Sequence, residues 1–466
     1  MRRALGLCAA LVCTGCVYYN GVYNAKRLSR EAERAEREGR TIDAQGLWAQ
    51  VVVKADSVIA RHPASGYIPQ VELLRARAMA RGDHCPEAAP ALQRALPAVT
   101  DSAAVEAGTF ELARCLAQLG NAAAAADVYA RVIGARDPAV RAEVQYQYVH
   151  ALRLAGRFDA ALAAAEGLAD PRLPYERMVA LGGTGKLADA LVFADSAIAR
   201  GDTTAPWDSL LSAAGRRDPG AVSPLVDRLV AMPQATPAMK GRWLLGDGRQ
   251  LLAIDTARAD ARLAAAAVAG GPSEFAGRAR LARARVALAR ATSSAALGLV
   301  VDTLEALRTV AGARDEAPGL ADAVTRVRAA TDSAAAGAPR ADLALFLAAE
   351  TARDVLESPE LARLLFRRVL AERGDSPYAP KALLALHQLD PSAVPAFDSL
   401  LTARYAGSPY VAALRGEALP AFRTLEDSLG AFAASFGVTP ASAPRPGVGG
   451  RGQPQSPGTR RPVEPQ

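Results

Sequence analysis

The sequence predicts an all-α protein built as an array of helical hairpins. Three observations predict it. Long Ala/Leu/Arg/Glu segments carry apolar residues at three- and four-residue spacing, while strand-like alternation is nearly absent. Gly, Pro or Asp interrupts these segments every dozen residues or so. Small residues also recur at fixed offsets on either side of the interrupting glycines.

The chain opens MRRALGLCAALVCTGCVYYNG. Cys13 and Cys16 have the spacing of a thiol redox pair or of half a zinc site. Nothing upstream could form the strand and helix that a redox pair requires, and no second metal-ligand pair follows. Arg2 and Arg3 precede a short apolar run, Ala4 to Val12, far below the ~20 residues of a membrane span. Thr14 and Gly15 are small residues suited to cleavage just ahead of Cys16. The stretch resembles the lipobox of bacterial lipoproteins, with Cys13 where that motif usually has Leu; an ordinary secretory signal is the alternative. The resemblance implies a signal peptide over residues 1–15 and a lipid on Cys16. By the same resemblance, Val17 in place of Asp implies sorting to the outer membrane, facing the periplasm.

In an exported chain Cys85 and Cys115 remain. They form a disulfide or pack as two buried thiols, and export favours the bridge.

Half of the 466 residues are hydrophobic but only 5% are aromatic. The formal charge of +7 loses Arg2 and Arg3 with the signal and a net +3 with the tail from Gly437, leaving the body near +2. Arginines there alternate with acids, as in NAKRLSREAERAEREGR, where Glu33–Arg37 and Glu36–Arg40 fall four apart. A balanced helical face of this kind gives nucleic-acid binding no support.

Residues 16–199 carry the hairpin pattern. Gly39 has Ala32 seven residues before it, Ala44 five after and Trp48 nine after. The same offsets give Ala113, Ala125 and Tyr129 around Gly120; Val149, Ala161 and Ala165 around Gly156; and Met178, Ala190 and Ala194 around Gly185. A glycine that takes the left-handed position ends the first helix, and small residues let the two axes approach. Gly120 to Gly156 is 36 residues and Gly156 to Gly185 is 29, and this pattern resembles the tetratricopeptide repeat. That resemblance implies a right-handed solenoid with a concave binding face. Residues 200–339 match the pattern poorly and form a degenerate helical-repeat region.

Residues 340–436 return to it through a second signature. AERGDSPYAPKALLAL and ARYAGSPYVAALRGE place Ser376 with Tyr378 and Ser408 with Tyr410, and ARHPASGYIPQVELL gives Ser65 with Tyr67. Serine suits an N-cap, and Pro377 and Pro409 suit the first helical position. These junctions, with a lipidated cysteine soon followed by a helix, resemble the D subunit of the outer-membrane β-barrel assembly machine and related periplasmic lipoproteins. Residues 417–436 read as an amphipathic helix that caps the array, and 437–466 as a disordered Pro/Gly/Arg tail.

Other motifs fall away. LGGTGKLADA at 181–190 has Ala180 and Leu187 where a P-loop needs Gly and Ser or Thr, and it lies between helices. His62, His84, His150 and His387 lie far apart, none with a metal-type ligand four residues on. The recurring Asp-Ser pairs read as polar faces of second helices. The sequence therefore predicts no catalytic residue, metal, cofactor, small-molecule substrate or nucleic acid. It predicts a non-catalytic scaffold that binds envelope proteins or peptides through its repeats, with the membrane reached by the N-terminal lipid. By resemblance it serves envelope or outer-membrane protein assembly; the alternative is an accessory subunit for cell-wall enzymes or surface-polymer export.

Overall fold

The structure is a computed structural model that describes residues 21–393, 397–417 and 419–435. Residues 1–15, Cys16 and the tail 437–466 lie outside the described residues. Among those described, the regular structure is helix alone, with no strand. No described helix is long and apolar enough to cross a membrane.

The chain divides into two compact units, one through Ala279 and one from Arg280. The division falls inside the region 200–339 that the sequence sets apart. The first unit holds α1 (21–37), α2 (Thr41–Arg61), α3 (Ile68–Arg81), α4 (Cys85–Ala95), α5 (Ser102–Gln118), α6 (Ala122–Tyr129) and α7 (Pro138–Leu154). It continues with α8 (Phe158–Ala165), α9 (Leu173–Gly183), α10 (Leu187–Ala199), α11 (Trp207–Arg217), α12 (Ser223–Ala231), α13 (Pro237–Leu251) and α14 (Thr256–Ala269). Helix α15 (Glu274–Ala289) spans the division. The second unit holds α16 (Ser294–Ala306), α17 (Ala317–Ala335), α18 (Ala341–Asp354), α19 (Pro359–Glu372), α20 (Ala379–Leu389), α21 (Phe397–Arg404), α22 (Pro409–Leu414) and α23 (Pro420–Ser435).

One backbone closure ends four of the first helices. At Gly120, φ is +79°; its N–H donates to Ala117 and the N–H of Asn121 reaches back to Leu116. This is the Schellman arrangement, which satisfies two carbonyls that the helix end would leave orphaned. Gly39, Gly156 and Gly185 repeat it, with N–H donations from Arg40 to Ala35, Arg157 to Leu152 and Lys186 to Leu181. At Gly82-Asp83 the left-handed residue is Asp83, with φ +62°. The second helix then starts at once; Asn121, for example, accepts from the N–H of Ala124.

The offset residues lie inside these hairpins. Ala32, Ala44 and Trp48, then Ala113, Ala125 and Tyr129, then Val149, Ala161 and Ala165, then Met178, Ala190 and Ala194 are all buried. Most neighbouring helices pack in chain order, among them α2 with α3, α5 with α6, α7 with α8 and α13 with α14; α3 also touches α5, α7 touches α9, α9 touches α11 and α11 touches α13. The poorly matching stretch makes hairpins by other means. Asp255 caps α14 by accepting from Ala257 and Arg258. In α13, Gly248 lets the backbone of α14 come close, since a Cβ there would lie 3.0 Å from the Leu263 side chain and 3.2 Å from its backbone nitrogen. Glycines that read as helix breakers act here as contact points.

In the second unit, α18 is buried on nearly every side, from Leu343 and Phe346 to Ala349 and Ala352. Such a helix is a core element rather than a surface one. It packs against α17, α19 and α23.

Candidate functional site

The Ser-x-Tyr junctions build the most chemically distinctive part of the molecule. Ser408 is the N-cap of α22 and accepts from the N–H of Tyr410 at 3.2 Å; Pro409 is the first helical residue. Ser376 accepts from the N–H of Tyr378 at the same distance and donates to Asp342 at 2.7 Å. Here the N-cap is Tyr378 itself, so Ser376 and Pro377 lie outside α20 instead of capping and opening it. The turn 376–378 precedes a second proline, Pro380, which takes the helix-opening role that suits a residue without an N–H. Ser65 repeats the local bond to Tyr67 at 3.4 Å, yet Tyr67 is 47% exposed while Tyr378 and Tyr410 are buried.

Those two buried rings join an aromatic ladder. Phe366 lies 5.7 Å from Phe346, Phe346 6.3 Å from Tyr378, and Tyr378 6.5 Å from Tyr410. Tyr410 meets Phe422 of α23 edge-on at 5.5 Å. Such tilted contacts place ring edges on ring faces and add roughly 0.5–1.5 kcal/mol each beyond area burial. The Lys381 ammonium stands 5.5 Å from the Phe346 ring and 5.7 Å from the Tyr410 ring, and binds Glu426 of α23 at 2.8 Å. The Tyr410 hydroxyl also donates to Glu426, at 2.7 Å. Burial, followed by that bond to Glu426, pushes the Tyr410 phenol far above its ordinary value. Burial likewise raises the Glu350 carboxyl, against the pull of Lys381. The phenol is thereby a fixed hydrogen-bond donor, not an acid or base at neutral pH.

The first unit carries two other kinds of polar contact. Between first helices, Arg81 of α3 binds both Glu36 of α1 and Glu111 of α5, and Glu176 of α9 pairs with Arg153 and His150 of α7. Between second helices, Asp195 of α10 pairs with Arg228 of α12, and Asp227 of α12 with Arg262 of α14, across 33 and 35 residues. The sequence reads Glu36 and Asp195 as parts of solvated faces; the structure pairs them with Arg81 and Arg228, and an acid and a base recurring at nearly one repeat length is the trace these pairs leave in the sequence. Two clefts open beside the hairpins. One of about 530 Å³ is largely apolar, lined by Ala49, Val52, Met79 and His84 among others. The other, about 300 Å³, lies beside Phe158, Thr184, Arg216 and Arg217.

Cys85 and Cys115 form a disulfide between α4 and α5, both cysteines buried. The glycine-rich 182–185 stretch is a helix closure in which the N–H groups of Thr184, Gly185 and Lys186 all bond to α9 carbonyls. None of the three is left to hold a phosphate. His62 caps the end of α2, His84 the start of α4, His150 lies within α7 and His387 in the last turn of α20. Among the described residues, no group of three or more His, Cys, Asp or Glu is placed to hold a metal ion.

The architecture brings together helix-closing glycines, buried alanines and a tyrosine-lined surface that holds a helix. Comparison with known proteins finds no family model that matches this chain and no curated protein with significant similarity to it.

Proposed function

We propose that this protein is a non-catalytic interaction scaffold, a right-handed solenoid of tetratricopeptide-like hairpins held at the outer membrane by a lipid on Cys16 and facing the periplasm. The observation that carries the reading is the repeated closure at Gly39, Gly120, Gly156 and Gly185, each flanked by buried small residues. First helices that touch the next first helix, from α7 through α13, are the arrangement in which stacked hairpins present a continuous surface to an extended or helical partner. The disulfide fits an oxidising compartment. On the family resemblance, the partners are other envelope proteins, and the work is outer-membrane protein or envelope assembly.

The test is to tag the C-terminus, solubilise the envelope in mild detergent, and identify co-purifying proteins by mass spectrometry, with a Cys16→Ala form in parallel. Recovery of barrel-assembly components, lost with the anchor, supports the scaffold. Recovery of cell-wall synthases or polymer exporters moves the role to those machines. Identical fractionation of both forms as soluble protein overturns the lipid anchor.

A further inference from the structure

We propose that the face formed by α18, α20 and α22 is a helix-binding groove, filled in this chain by its own α23. The partner it fits is an amphipathic helix of the same chemistry: apolar residues at three-, four- and seven-residue spacing around one glutamate. The inference deepens the scaffold reading and rests on it.

Helix α23 does not pair as the other second helices do. It packs on α22 and reaches back to α18, and its bonds to Tyr378 and Lys381 tie it to α20 as well. It therefore crosses three first helices. Its seat consists of donors and ring faces waiting for particular groups. The Lys381 ammonium and the Tyr410 hydroxyl converge on the Glu426 carboxylate. The Tyr378 hydroxyl donates to the backbone carbonyl of Leu425 at 3.2 Å, a bond that any helix lying in the same place can accept. At the far end, the Arg340 guanidinium lies 5.6 Å from the Phe432 ring.

The occupant is seated shallowly. Leu429 and Ala433 are buried, while Phe422, Leu425 and Phe432 are only partly covered. An isolated helix of this length, with Gly430 in its interior, is marginal in water, so α23 owes its helical form to the groove. The segment before it contains left-handed Gly416 and two exposed leucines, Leu414 and Leu419. Anchors at 422, 425, 426, 429 and 433 follow the spacing by which helices dock in grooves. A carboxylate is required in any occupant, because Lys381 and the Tyr410 hydroxyl would otherwise lose their shared acceptor in a partly dry site.

The test needs no natural partner, so it can fail without touching the scaffold reading, and the reverse. A fluorescein-labelled peptide of residues 419–435 is titrated into the full chain. It is also titrated into a full chain carrying Glu426→Lys and Leu429→Asp, changes that loosen α23 and leave the groove residues alone. Amide hydrogen exchange reports on α23, α18 and α20 in both. The expected result is fast exchange over 420–435 only, and peptide binding at least about tenfold tighter to the loosened chain, as removal of an internal competitor requires. A peptide bearing Glu426→Lys should lose that gain.

Equal binding to both chains, with α23 shown free, overturns the proposal. Loss of protection spreading through α18 and α20 also overturns it, since α23 would then be core. Should the double variant fail to fold, Glu426→Gln alone, which removes one charge from α23 and leaves every groove residue in place, must still raise peptide affinity and α23 exchange, or the proposal falls. A parent chain that forms a stable dimer by exchanging α23 makes the occupant a second copy and overturns the foreign-helix reading.

Discussion

The Arg81 guanidinium lies 2.5 Å from the carboxylate of Glu111, a side chain only 1% exposed. A charge so placed is compensated by that partner and by Arg114, 2.9 Å away, and Arg81 is held in turn by Glu36 at 3.0 Å. Burial works against the Arg81 charge, yet Glu111 and Glu36 together hold its pKa above the ordinary guanidinium value. Helices α1, α3 and α5 are thus tied by one side chain.

Glu111→Gln should therefore destabilise the first unit by roughly 3–5 kcal/mol, the cost of breaking a buried pair from one side. Asp195→Asn, which breaks an exposed pair with Arg228, should cost less than about 1 kcal/mol. Urea unfolding of both variants measures the contrast. Equal effects would mean that burial does not govern these pairs.

The Cys85–Cys115 bridge closes a separation of 30 residues. Loop-closure entropy assigns such a bridge about 3–4 kcal/mol. Cys85→Ala with Cys115→Ala should lower stability by that order, with amide exchange rising in α4 and α5 and unchanged in α18. A uniform rise would place the effect elsewhere.

The helix closures allow opposite predictions at equivalent positions. A Cβ at Gly120 meets nothing within 4 Å, so Gly120→Ala suffers from φ alone. It should cost about 1 kcal/mol, while Asp83→Gly, which relieves a left-handed Asp, should stabilise by up to about 1 kcal/mol. Thermal unfolding of the two variants gives the signs directly.

Glu176 sets an acid limit. Burial pushes its carboxyl up, but the hydrogen bond with His150 and the charge of Arg153 outweigh it and hold the group below the ordinary carboxylate range. A depressed folded pKa means stability that is fully present above the unfolded value and is lost as pH falls through the folded one. The loss should begin below about pH 4.3, and Glu176→Gln should flatten it while lowering stability at neutral pH. A pH series of urea midpoints for both proteins checks this; an unchanged acid arm would remove Glu176 as its cause.

The hairpins were legible because their causes are local. A glycine at φ +79° and an alanine one or two turns away both leave marks within a few residues. The ion pairs were not, because Arg81 and Glu111 stand 30 residues apart and many arginines could have served. The Ser-x-Tyr motif gave the turn but not the fate of the ring: Tyr67 and Tyr378 share one local bond, and only neighbours distant in sequence bury the second. The apolar face of α23 was visible as a pattern, but the 47 residues between Tyr378 and Leu425 hid the surface that receives it.

The shared closure bears on how such a chain changes length over generations. Each of the four first helices that share it ends with bonds made to its own last turn, so the turn inside a hairpin is set by that hairpin alone. Whole hairpins can be duplicated or lost without rewriting the turn inside a neighbouring one. Uneven spacings, 36 residues in one interval and 29 in the next, are the tolerance such a lineage needs.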